Sequence, residues 1–458
     1  MHTGVRHAVV VGGGLAGCEA AWQLAERGNR VTLHEMRPVR TTPAHRTADL
    51  AELVCTNSFK SSDPSNAHGL LKREMRALGS ILLESADATA VAAGTALAVD
   101  RRAFARAMSE RIEGHPNITI ERSEVSDLPD SPCIIATGPL TSQALTARIA
   151  HMLGDDGLAF YDAIAPIVSH DSIDTGIAFL ASRWGKGEGD DYLNCPLDRD
   201  EYLAFLEALR AADVYAGHDW ENIPYFEGCL PIEVMAERGE DTLRFGPMKP
   251  VGLRDPRTGR RPYAVVQLRR EDRTGQMWNL VGFQTRLRTG EQRRTFRMIP
   301  GLGQAEFLRM GSIHRNTYLN FPARLTEYGA PHARPDVIFA GQLTGVEGYT
   351  ESAASGILAG INLGRLLNGL EPAVPPPSTM IGALYRWLRD ASPAEFQPMN
   401  SNFGLLEPLA EPIRDKGARR ARLVERAGED FDAWIDANLI RGERFDHEPV
   451  ATMPGGSP

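Results

Sequence analysis

Hydrophobic and polar positions near the start of the chain follow two periodicities in turn. Residues 7–11, HAVVV, form a short apolar run rich in β-branched residues, which predicts a buried parallel strand. Small and apolar residues then recur at helical spacing across 20–25, and Gly28 marks the end of that helix. Residues 31–35 form a second strand that closes on an acid. The pattern therefore predicts a strand–helix–strand unit at the start of the fold.

The turn between the first strand and the helix carries the pattern G-x-G-x-x-G in Gly12, Gly14 and Gly17. The first glycine permits the tight turn, the second lets the backbone touch a pyrophosphate, and the third lets helix and sheet pack closely. The helix N-terminus presents free N–H groups and a positive dipole end to an anion. Glu35 follows where a ribose hydroxyl needs an acceptor. We interpret the unit as a site for NAD or FAD, the alternative being a glycine-rich turn that binds nothing.

Later segments extend the α/β pattern. Residues 66–84 predict one amphipathic helix, and residues 96–112 predict a short strand followed by a helix. A buried strand at 132–136 ends in A-T-G, a tripeptide typical of the sheet beneath FAD in two-dinucleotide-fold flavoproteins. Residues 337–340 predict a further strand, followed by a glycine-spaced loop and a helix of small residues. NAD-only dehydrogenases do not need this second approach, so FAD is favoured.

Between these segments the pattern changes. From about residue 150 to 330, short strands alternate with turns and one or two helices, which predicts an α+β insertion with mainly antiparallel sheet. The predicted fold class is α/β, a Rossmann-like two-dinucleotide-fold FAD domain with an inserted α+β domain. We expect residues 1–149 to form the first part of the FAD domain, 150–330 the insertion, 331–446 the second part with C-terminal helices, and 447–458 a disordered tail.

Length and composition limit the class of protein. The chain has 458 residues, enough for two or three domains with substantial cores. It contains no apolar run of membrane-spanning length, and its first strand begins too early for a signal peptide, so we expect a cytoplasmic protein without a membrane anchor. The five cysteines are scattered, with no C-x-x-C pair and no metal-ligand spacing. This usage indicates a reducing compartment and no metal site.

The net charge of −9 is unevenly distributed. The stretch Arg244–Arg297 has fourteen basic and four acidic residues, a net charge of +10, so the rest of the chain carries −19. A locally basic face on an acidic protein can bind a polyanion, and the alternative is a solvated arginine-rich surface. A smaller basic group, Lys416, Arg419 and Arg420, lies on a predicted C-terminal helix. We expect both groups to contribute to any binding of nucleic acid.

Two cysteines stand among polar or turn-forming neighbours. Cys55 lies in C-T-N-S, and Cys229 lies in E-G-C-L-P. Because structural cysteines usually have apolar neighbours, both are candidates for exposed, reactive thiols. Cys18 and Cys133 fall inside a predicted helix and a predicted strand, and we expect them to be core thiols. Cys195, in L-N-C-P-L, is a weaker candidate for reactivity.

The sequence resembles the bacterial folate- and FAD-dependent tRNA (uracil-5-)-methyltransferases. The matching stretches run in order from about residue 8 to 405 and include GGGLAGCEAAWQLAERG, HEMRP, PAH, ELVCTNS, DYLNCP, YFEGCLPIE, FGPMKPVGL and AGQLTGVEGYTESAASG. The family's usual C-S-N-S is C-T-N-S here, a change that keeps the hydroxyl group. The related glucose-inhibited division protein A, a wobble-uridine modifying flavoprotein, shares the A-G-Q…G-Y motif but is longer and carries a C-terminal region that this chain lacks.

The resemblance implies transfer of the one-carbon unit of 5,10-methylenetetrahydrofolate to C5 of uridine 54 in the tRNA T-loop, with FAD as cofactor and NADPH or NADH as reductant. It maps the family's two cysteines onto Cys55 and Cys229, one adding to uracil C6 and the other removing the C5 proton, without deciding which does which. The alternatives are a wobble-uridine modifying flavoenzyme, a generic flavin oxidoreductase and a non-catalytic RNA-binding flavoprotein. The residues predicted to bind FAD are Gly12, Gly13, Gly14, Leu15, Ala16, Gly17, Glu35, Met36, Arg37, Thr137, Gly138, Gly341, Gln342, Gly345, Val346, Gly348 and Tyr349.

Overall fold

The structure is a computed structural model that describes residues 6–42, 44–154, 158–215, 230–272, 274–393, 396 and 398–440, without the side chains of 158–164 and 312–317. No helix within these ranges is both long and apolar enough to cross a membrane. The strands in chain order are β1 (His7–Val11), β2 (Arg30–His34), β3 (Ser58–Ser61), β4 (Ala90–Val91), β5 (Ala96–Val99), β6 (Ile118–Glu121), β7 (Cys133–Ile135), β8 (Leu158–Ile164), β9 (Ile167–Ser169), β10 (Phe179–Leu180), β11 (Tyr192–Leu197), β12 (Ala264–Arg270), β13 (Met277–Leu280), β14 (Phe307–Arg309), β15 (Ser312–Tyr318) and β16 (Val337–Phe339). The helices are α1 (Leu15–Glu26), α2 (Ala67–Ala77), α3 (Ile81–Ala88), α4 (Arg101–Glu113), α5 (Gln143–Leu153), α6 (Arg199–Arg210), α7 (Ile232–Glu237), α8 (Thr242–Phe245), α9 (Thr289–Phe296), α10 (Phe321–Arg324), α11 (Tyr349–Leu367), α12 (Met380–Asp390) and α13 (Lys416–Ala437).

A five-stranded parallel sheet, in the order β16-β7-β1-β2-β6, forms the centre of the first core. Residues 8–11 of β1 are all buried, as expected for a strand covered on both faces. Helices α1 and α11 pack closely because a Cβ atom at Gly356 would lie only 2.1 Å from the carbonyl oxygen of Ala16. The predicted strand–helix–strand unit and the Rossmann-like α/β class are confirmed.

An inserted segment builds the second core. A sheet in the order β10-β11-β12-β13-β9-β14, antiparallel at every pair, packs against α6 and α7. The two-stranded antiparallel ribbon β8–β15 connects it to the rest of the chain. Residues of the second core extend from Val168 to Ala305, whereas Leu153 and Tyr318 still belong to the first core. The insertion is therefore α+β and mainly antiparallel, as its sequence pattern predicts.

The single helix predicted over residues 66–84 is wrong. The structure has two helices there, because Gly79 adopts φ +74° and ends α2. Ser80 then starts α3, its hydroxyl accepting a hydrogen bond from the N–H of Leu83 at 3.2 Å. Serine is a strong N-cap residue, and a glycine in the left-handed region is a common helix terminator. The continuous amphipathic pattern concealed this break.

Lys72 of α2 is a buried cation beside the first turn of α11. Its side chain is 1 % exposed, and its ammonium group donates hydrogen bonds to the carbonyl oxygens of Ser61 (3.0 Å) and His68 (3.3 Å). Burial lowers the pKa of Lys72 from 10.5 to about 8, although the nearby carboxylate of Glu351 opposes this shift. The folded protein therefore releases this proton at a lower pH than the unfolded chain does.

We expect Lys72→Met to remove a pH-dependent part of the folding free energy. Below pH 8 the wild-type fold must hold a buried ammonium group; as the pH rises from 8 to 10.5, this cost disappears and wild-type stability should increase by up to ~3 kcal/mol. The variant should lack this increase. Denaturant unfolding of both proteins across that pH interval, with the exposed Lys249→Met as matched control, measures the difference. Parallel stability curves for wild type and Lys72→Met would contradict the assignment.

Candidate active site

The turn before α1 is built to hold an anion. Gly12 adopts φ +106°, and a Cβ atom there would lie 2.6 Å from the carbonyl oxygen of Ala136, so this turn requires glycine. Gly14 is the N-cap of α1, with no side-chain cap and no acid in the first turn. A Cβ atom at Gly14 would meet no protein atom within 4 Å. The uncapped N–H groups therefore face open space that a pyrophosphate fits.

A cleft at the carboxyl ends of β1, β7 and β16 brings most of the predicted FAD-binding residues together. The segment around His45 and Val54, which the sequence interpretation left out of the cofactor site, contributes further walls. Four predicted residues do not line this cleft, namely Gly17, Gly345, Val346 and Gly348, and their contact with FAD stays a prediction. The predicted residues that do line it are Gly12, Gly13, Gly14, Leu15, Ala16, Glu35, Met36, Arg37, Thr137, Gly138, Gly341, Gln342 and Tyr349.

The four remaining residues have clear structural positions. A Cβ atom at Gly17 would lie 1.8 Å from the carbonyl oxygen of Gly12, so Gly17 permits the close contact between helix and turn. Val346 is buried and pairs with Met399 in an isolated bridge. Gly348 is the N-cap of α11 at φ +116°. These residues shape the elements behind the cleft.

Glu35 ends β2 inside the cleft, but its carboxylate already accepts several hydrogen bonds. One oxygen accepts the N–H of Gly13 at 2.9 Å, and the other accepts the backbone N–H and the Nε–H of Arg37, both at 2.9 Å. Burial raises the pKa of Glu35, but the hydrogen bonds from Arg37 and Gly13 outweigh it and lower the pKa below its ordinary value. Glu35 is therefore a fixed, ionised acceptor, and Arg37 is held between it and Glu52.

Cys55 lies against the same cleft, half-buried in the loop before β3. Its backbone N–H donates to the hydroxyl oxygen of Tyr349 at 2.7 Å, and the N–H of Thr56 donates to the same oxygen at 3.2 Å. Tyr349, the first residue of α11, and Val54 both line the cleft. The structure thus brings the predicted thiol and the predicted cofactor site together across almost three hundred residues of sequence.

Guanidinium groups from three distant parts of the chain surround the Cys55 loop. Arg101 hydrogen-bonds the carbonyl oxygen of Leu53 and pairs with Glu271 at 2.8 Å. Arg309 donates to the carbonyl oxygen of Val54 at 2.7 Å. The third group is Arg269, which the insertion supplies. These cations are fixed by hydrogen bonds to the loop, so they give the thiol a permanently positive surrounding.

Arg269 corrects the interpretation of the basic stretch. We expected the arginines between 254 and 297 to face a nucleic acid, but Arg269 is only 7 % exposed. Its guanidinium donates to the side-chain oxygens of Thr56 and Asn57, the latter at 3.0 Å. Burial lowers the pKa of Arg269, while the neighbouring Glu271 raises it. The prediction is wrong for this residue, because a run of charges in sequence does not separate surface arginines from buried ones.

The other described cysteines are buried and unreactive by position. Burial raises the pKa of Cys133 and of Cys195 to about 12 in each case, and it raises the pKa of Cys18 as well, with the Glu35 and Glu19 carboxylates adding to the effect. Cys18 and Cys133 are therefore core thiols, as predicted. Cys229, the second predicted catalytic cysteine, lies outside the described residues.

A second cavity of about 810 Å³ lies beside the Cys55 loop. Leu53 lines this cavity, whereas Val54 lines the dinucleotide cleft, so the loop that carries Cys55 runs between the two. Arg101 and Arg309 also line the second cavity, together with Tyr215 from the insertion. A reactant in this cavity would meet the cationic surrounding of the thiol, while a dinucleotide occupies the other side.

Comparison with known proteins agrees with this geometry. A model of the glucose inhibited division protein A family matches residues 7–371. A Geobacter sulfurreducens protein named methylenetetrahydrofolate--tRNA-(uracil-5-)-methyltransferase TrmFO is 57 % identical over 427 residues, covering 93 % of this chain and 98 % of that protein. A protein of the same name from Rhizorhabdus wittichii is 56 % identical over 436 residues, covering 94 % and 98 %. These relatives match the chain at both cores.

A solved structure supports the fold independently. Aquifex aeolicus GidA superposes with a TM-score of 0.65 at 17 % sequence identity, covering 93 % of this chain and 73 % of that one. At this identity the likeness establishes the shared fold and nothing finer. The fold of the two cores and the connection between them is therefore that of a known flavoprotein-like architecture.

Proposed function

This chain belongs to the glucose-inhibited division protein A family and, within it, to the methylenetetrahydrofolate–tRNA-(uracil-5-)-methyltransferases, and we propose that it methylates C5 of the T-loop uridine at position 54. The carbon donor in this proposal is 5,10-methylenetetrahydrofolate, the cofactor is FAD, and NADPH or NADH is the reductant. FAD, when bound, supplies the reducing equivalents that convert the transferred carbon into a methyl group. The dinucleotide cleft around Gly14 and Thr137 would hold it.

The chemistry requires a nucleophile and a base. Uracil C5 is a poor nucleophile until a thiolate adds at C6, which turns the ring into an enolate with a reactive C5. After C5 has taken up the one-carbon unit, a base must remove the C5 proton so that the thiolate can leave. Cys55 supplies one of these functions and Cys229 the other, an assignment that rests on the resemblance for both residues.

The surroundings of Cys55 support this role. A thiolate and the enolate oxygen formed in the addition are both anions, and guanidinium groups stabilise anions that form near them. Arg101 and Arg309 bond the backbone of the loop, and Arg269 holds the side chains that follow Cys55. The second cavity gives the uracil ring a place beside these cations. In this arrangement the target base lies between the thiol and the dinucleotide cleft.

The position of Cys55 between the two cavities is the observation that carries the proposal. The test is an assay with tRNA that lacks ribothymidine, methylenetetrahydrofolate labelled in its one-carbon unit, and NADPH. We expect the label to appear in ribothymidine at position 54. Label in an anticodon nucleoside would instead support a wobble-uridine modifying enzyme, and NADPH oxidation without any labelled nucleoside would support a generic oxidoreductase.

Neutralising exposed arginines of the basic stretch should weaken tRNA binding in a salt-dependent way. Arg254, Arg257, Arg260 and Arg261 lie exposed in one turn of the insertion, and each contact with a phosphate adds roughly 0.7–0.9 to the slope of log K against log[salt]. A variant with all four replaced by alanine should bind more weakly and show a slope smaller by about 2 to 3. Filter binding across a salt series measures both quantities.

The control for this experiment removes surface arginines of the first core. Arg76 and Arg148 are exposed and pair with Asp87 and Asp127, so Arg76→Ala with Arg148→Ala changes the charge without touching the insertion. The control should keep the wild-type affinity and slope. If the fourfold variant also kept both, this turn would be only a solvated surface.

A further inference from the structure

Trp184 is an exposed aromatic residue in a conformation that bulky side chains rarely adopt. Its side chain is 63 % exposed, and its backbone lies in the left-handed region at φ 56° and ψ 26°. Large hydrophobic side chains are seldom left this accessible singly on a rigid element, and a non-glycine residue at positive φ indicates local strain. Strain of this kind persists where the surrounding structure holds it in place.

The surrounding structure does hold Trp184 in place. Its backbone N–H donates to the carbonyl oxygen of Gly252 at 3.0 Å. The preceding Arg183 is anchored on both sides, to the side-chain oxygen of Gln267 at 2.9 Å and to the carbonyl oxygen of Val251 at 2.8 Å. The strained turn is therefore tied to β12 and to the loop before it.

Gly252 gives the indole its support. A Cβ atom at Gly252 would lie 2.8 Å from both Cδ2 and Cε2 of the Trp184 ring, so the ring rests directly on the glycine backbone. Since the side chain is still mostly exposed, the part of the ring turned away from Gly252 is open to solvent. The result is a flat apolar surface fixed in orientation by its own backbone and by its support.

Positive charge flanks this flat surface. Arg254 and Arg261 line the same shallow concavity as Trp184, and Arg257 and Arg260 are exposed in the turn between them. The acid in that turn, Asp255, is paired with Arg257 at 2.8 Å. An open aromatic face bordered by guanidinium groups suits a single-stranded nucleic acid, because a base stacks on the ring while the cations bind the adjoining phosphates.

We propose that Trp184 is a stacking platform for an unpaired base of the RNA substrate, with Arg254 and Arg261 binding the phosphates beside that base. The proposal rests on the proposed function, since it takes tRNA to be the substrate. It assigns the concavity around Trp184 as an RNA-binding subsite separate from the Cys55 loop. The fold thus offers one place for chemistry and another for holding the RNA.

The test compares the salt dependence of tRNA binding among variants of the FAD-loaded enzyme. Trp184→Ala should weaken binding about tenfold at every salt concentration and leave the slope of log K against log[salt] unchanged, because stacking releases no counterions. Trp184→Phe should restore most of the affinity. Arg261→Ala should instead lower the slope by roughly 0.7–0.9. Phe245→Ala removes another exposed aromatic side chain, 78 % accessible and absent from the lining of this concavity, and should bind as wild type does.

A second readout keeps the proposal testable if Trp184→Ala fails to fold. Stacking should quench the fluorescence of Trp184, so tRNA should quench wild type more than it quenches Trp184→Phe. Equal quenching of the two proteins, or wild-type affinity in a folded Trp184→Ala, would overturn the platform. A salt slope reduced by Trp184→Ala would also overturn it, because that result indicates a displaced arginine and no stacked base.

The outcomes also separate this proposal from the proposed function. Methylation by the wild-type enzyme tests the function alone and does not depend on Trp184. If wild type methylates uridine 54 while Trp184→Ala keeps the wild-type KM for tRNA, the platform fails and the function stands. If wild type binds tRNA in the manner described but methylates another nucleoside, the function fails and the platform stands.

Discussion

Replacing Cys55 with alanine is expected to abolish methyl transfer while leaving the FAD content and the affinity for tRNA close to those of wild type. The thiol is the group that acts on the uracil ring, whether as nucleophile or as base, and loss of such a group reduces rates by about 10²- to 10⁴-fold. Its backbone contacts to Tyr349 do not involve the sulfur atom, so the alanine variant keeps them. Transfer of labelled carbon at saturating tRNA and folate measures the effect.

Cys195→Ala is the matched control. Cys195 lies in β11 with its thiol fully buried, and removing this sulfur should cost some stability but retain most of the activity. Cys229→Ala should lose methyl transfer as Cys55→Ala does, because the reaction needs both functions. A tRNA with 5-fluorouracil at the target position has no C5 proton to lose and should trap a covalent adduct on the attacking cysteine. Near-normal turnover in both Cys55→Ala and Cys229→Ala would exclude the thiol mechanism.

The first thirty-five residues illustrate what a sequence can predict. A buried parallel strand is apolar throughout, a helix that packs on it repeats small residues, and a pyrophosphate turn needs glycine, so all three leave local signals. The structure has β1, α1 and β2 where these signals place them. Local signals failed at Gly79, because an amphipathic pattern continues across a helix break when both helices cover the same core.

The surroundings of Cys55 had no such local signal. The polar neighbours of the thiol predicted its partial exposure correctly, yet nothing near it in sequence points to Arg101, Arg269 or Arg309. These side chains reach the loop only because β12 and β14 of the insertion pack beside α4. Contacts between distant segments depend on the assembled fold, and a single sequence does not encode them in a form that periodicity or composition can detect.

The same limit explains the basic stretch. Its net charge predicts a polyanion, but charge alone cannot distinguish the exposed arginines of the turn at 254–261 from the buried Arg269, which organises the Cys55 loop. Trp184 lies outside the stretch in sequence and joins it only through Gly252. The arginines thus divide between two places, one at the thiol and one on the surface.

Gly14→Val is expected to yield a folded protein that has lost its FAD. At φ −79° and ψ −170° Gly14 has an extended backbone that valine adopts without strain, and no protein atom lies within 4 Å of its Cβ position. The valine side chain would therefore occupy only the space of the pyrophosphate, and FAD occupancy should fall at least about tenfold. Flavin absorbance of the purified protein measures occupancy, and thermal unfolding in the absence of FAD measures the fold.

Two further glycines separate loss of the cofactor from loss of the fold. Gly290, in α9, also has no protein atom within 4 Å of its Cβ position and lies away from the cleft, so Gly290→Val should retain FAD. Gly17→Val places a side chain 1.8 Å from the carbonyl oxygen of Gly12 and should therefore disrupt α1 against its turn, losing stability as well as FAD. Full FAD occupancy in Gly14→Val would mean that the pyrophosphate does not pass over this turn. Because the space at Gly14 is open in the protein itself, this substitution tests the position of the cofactor and not the packing of the helix.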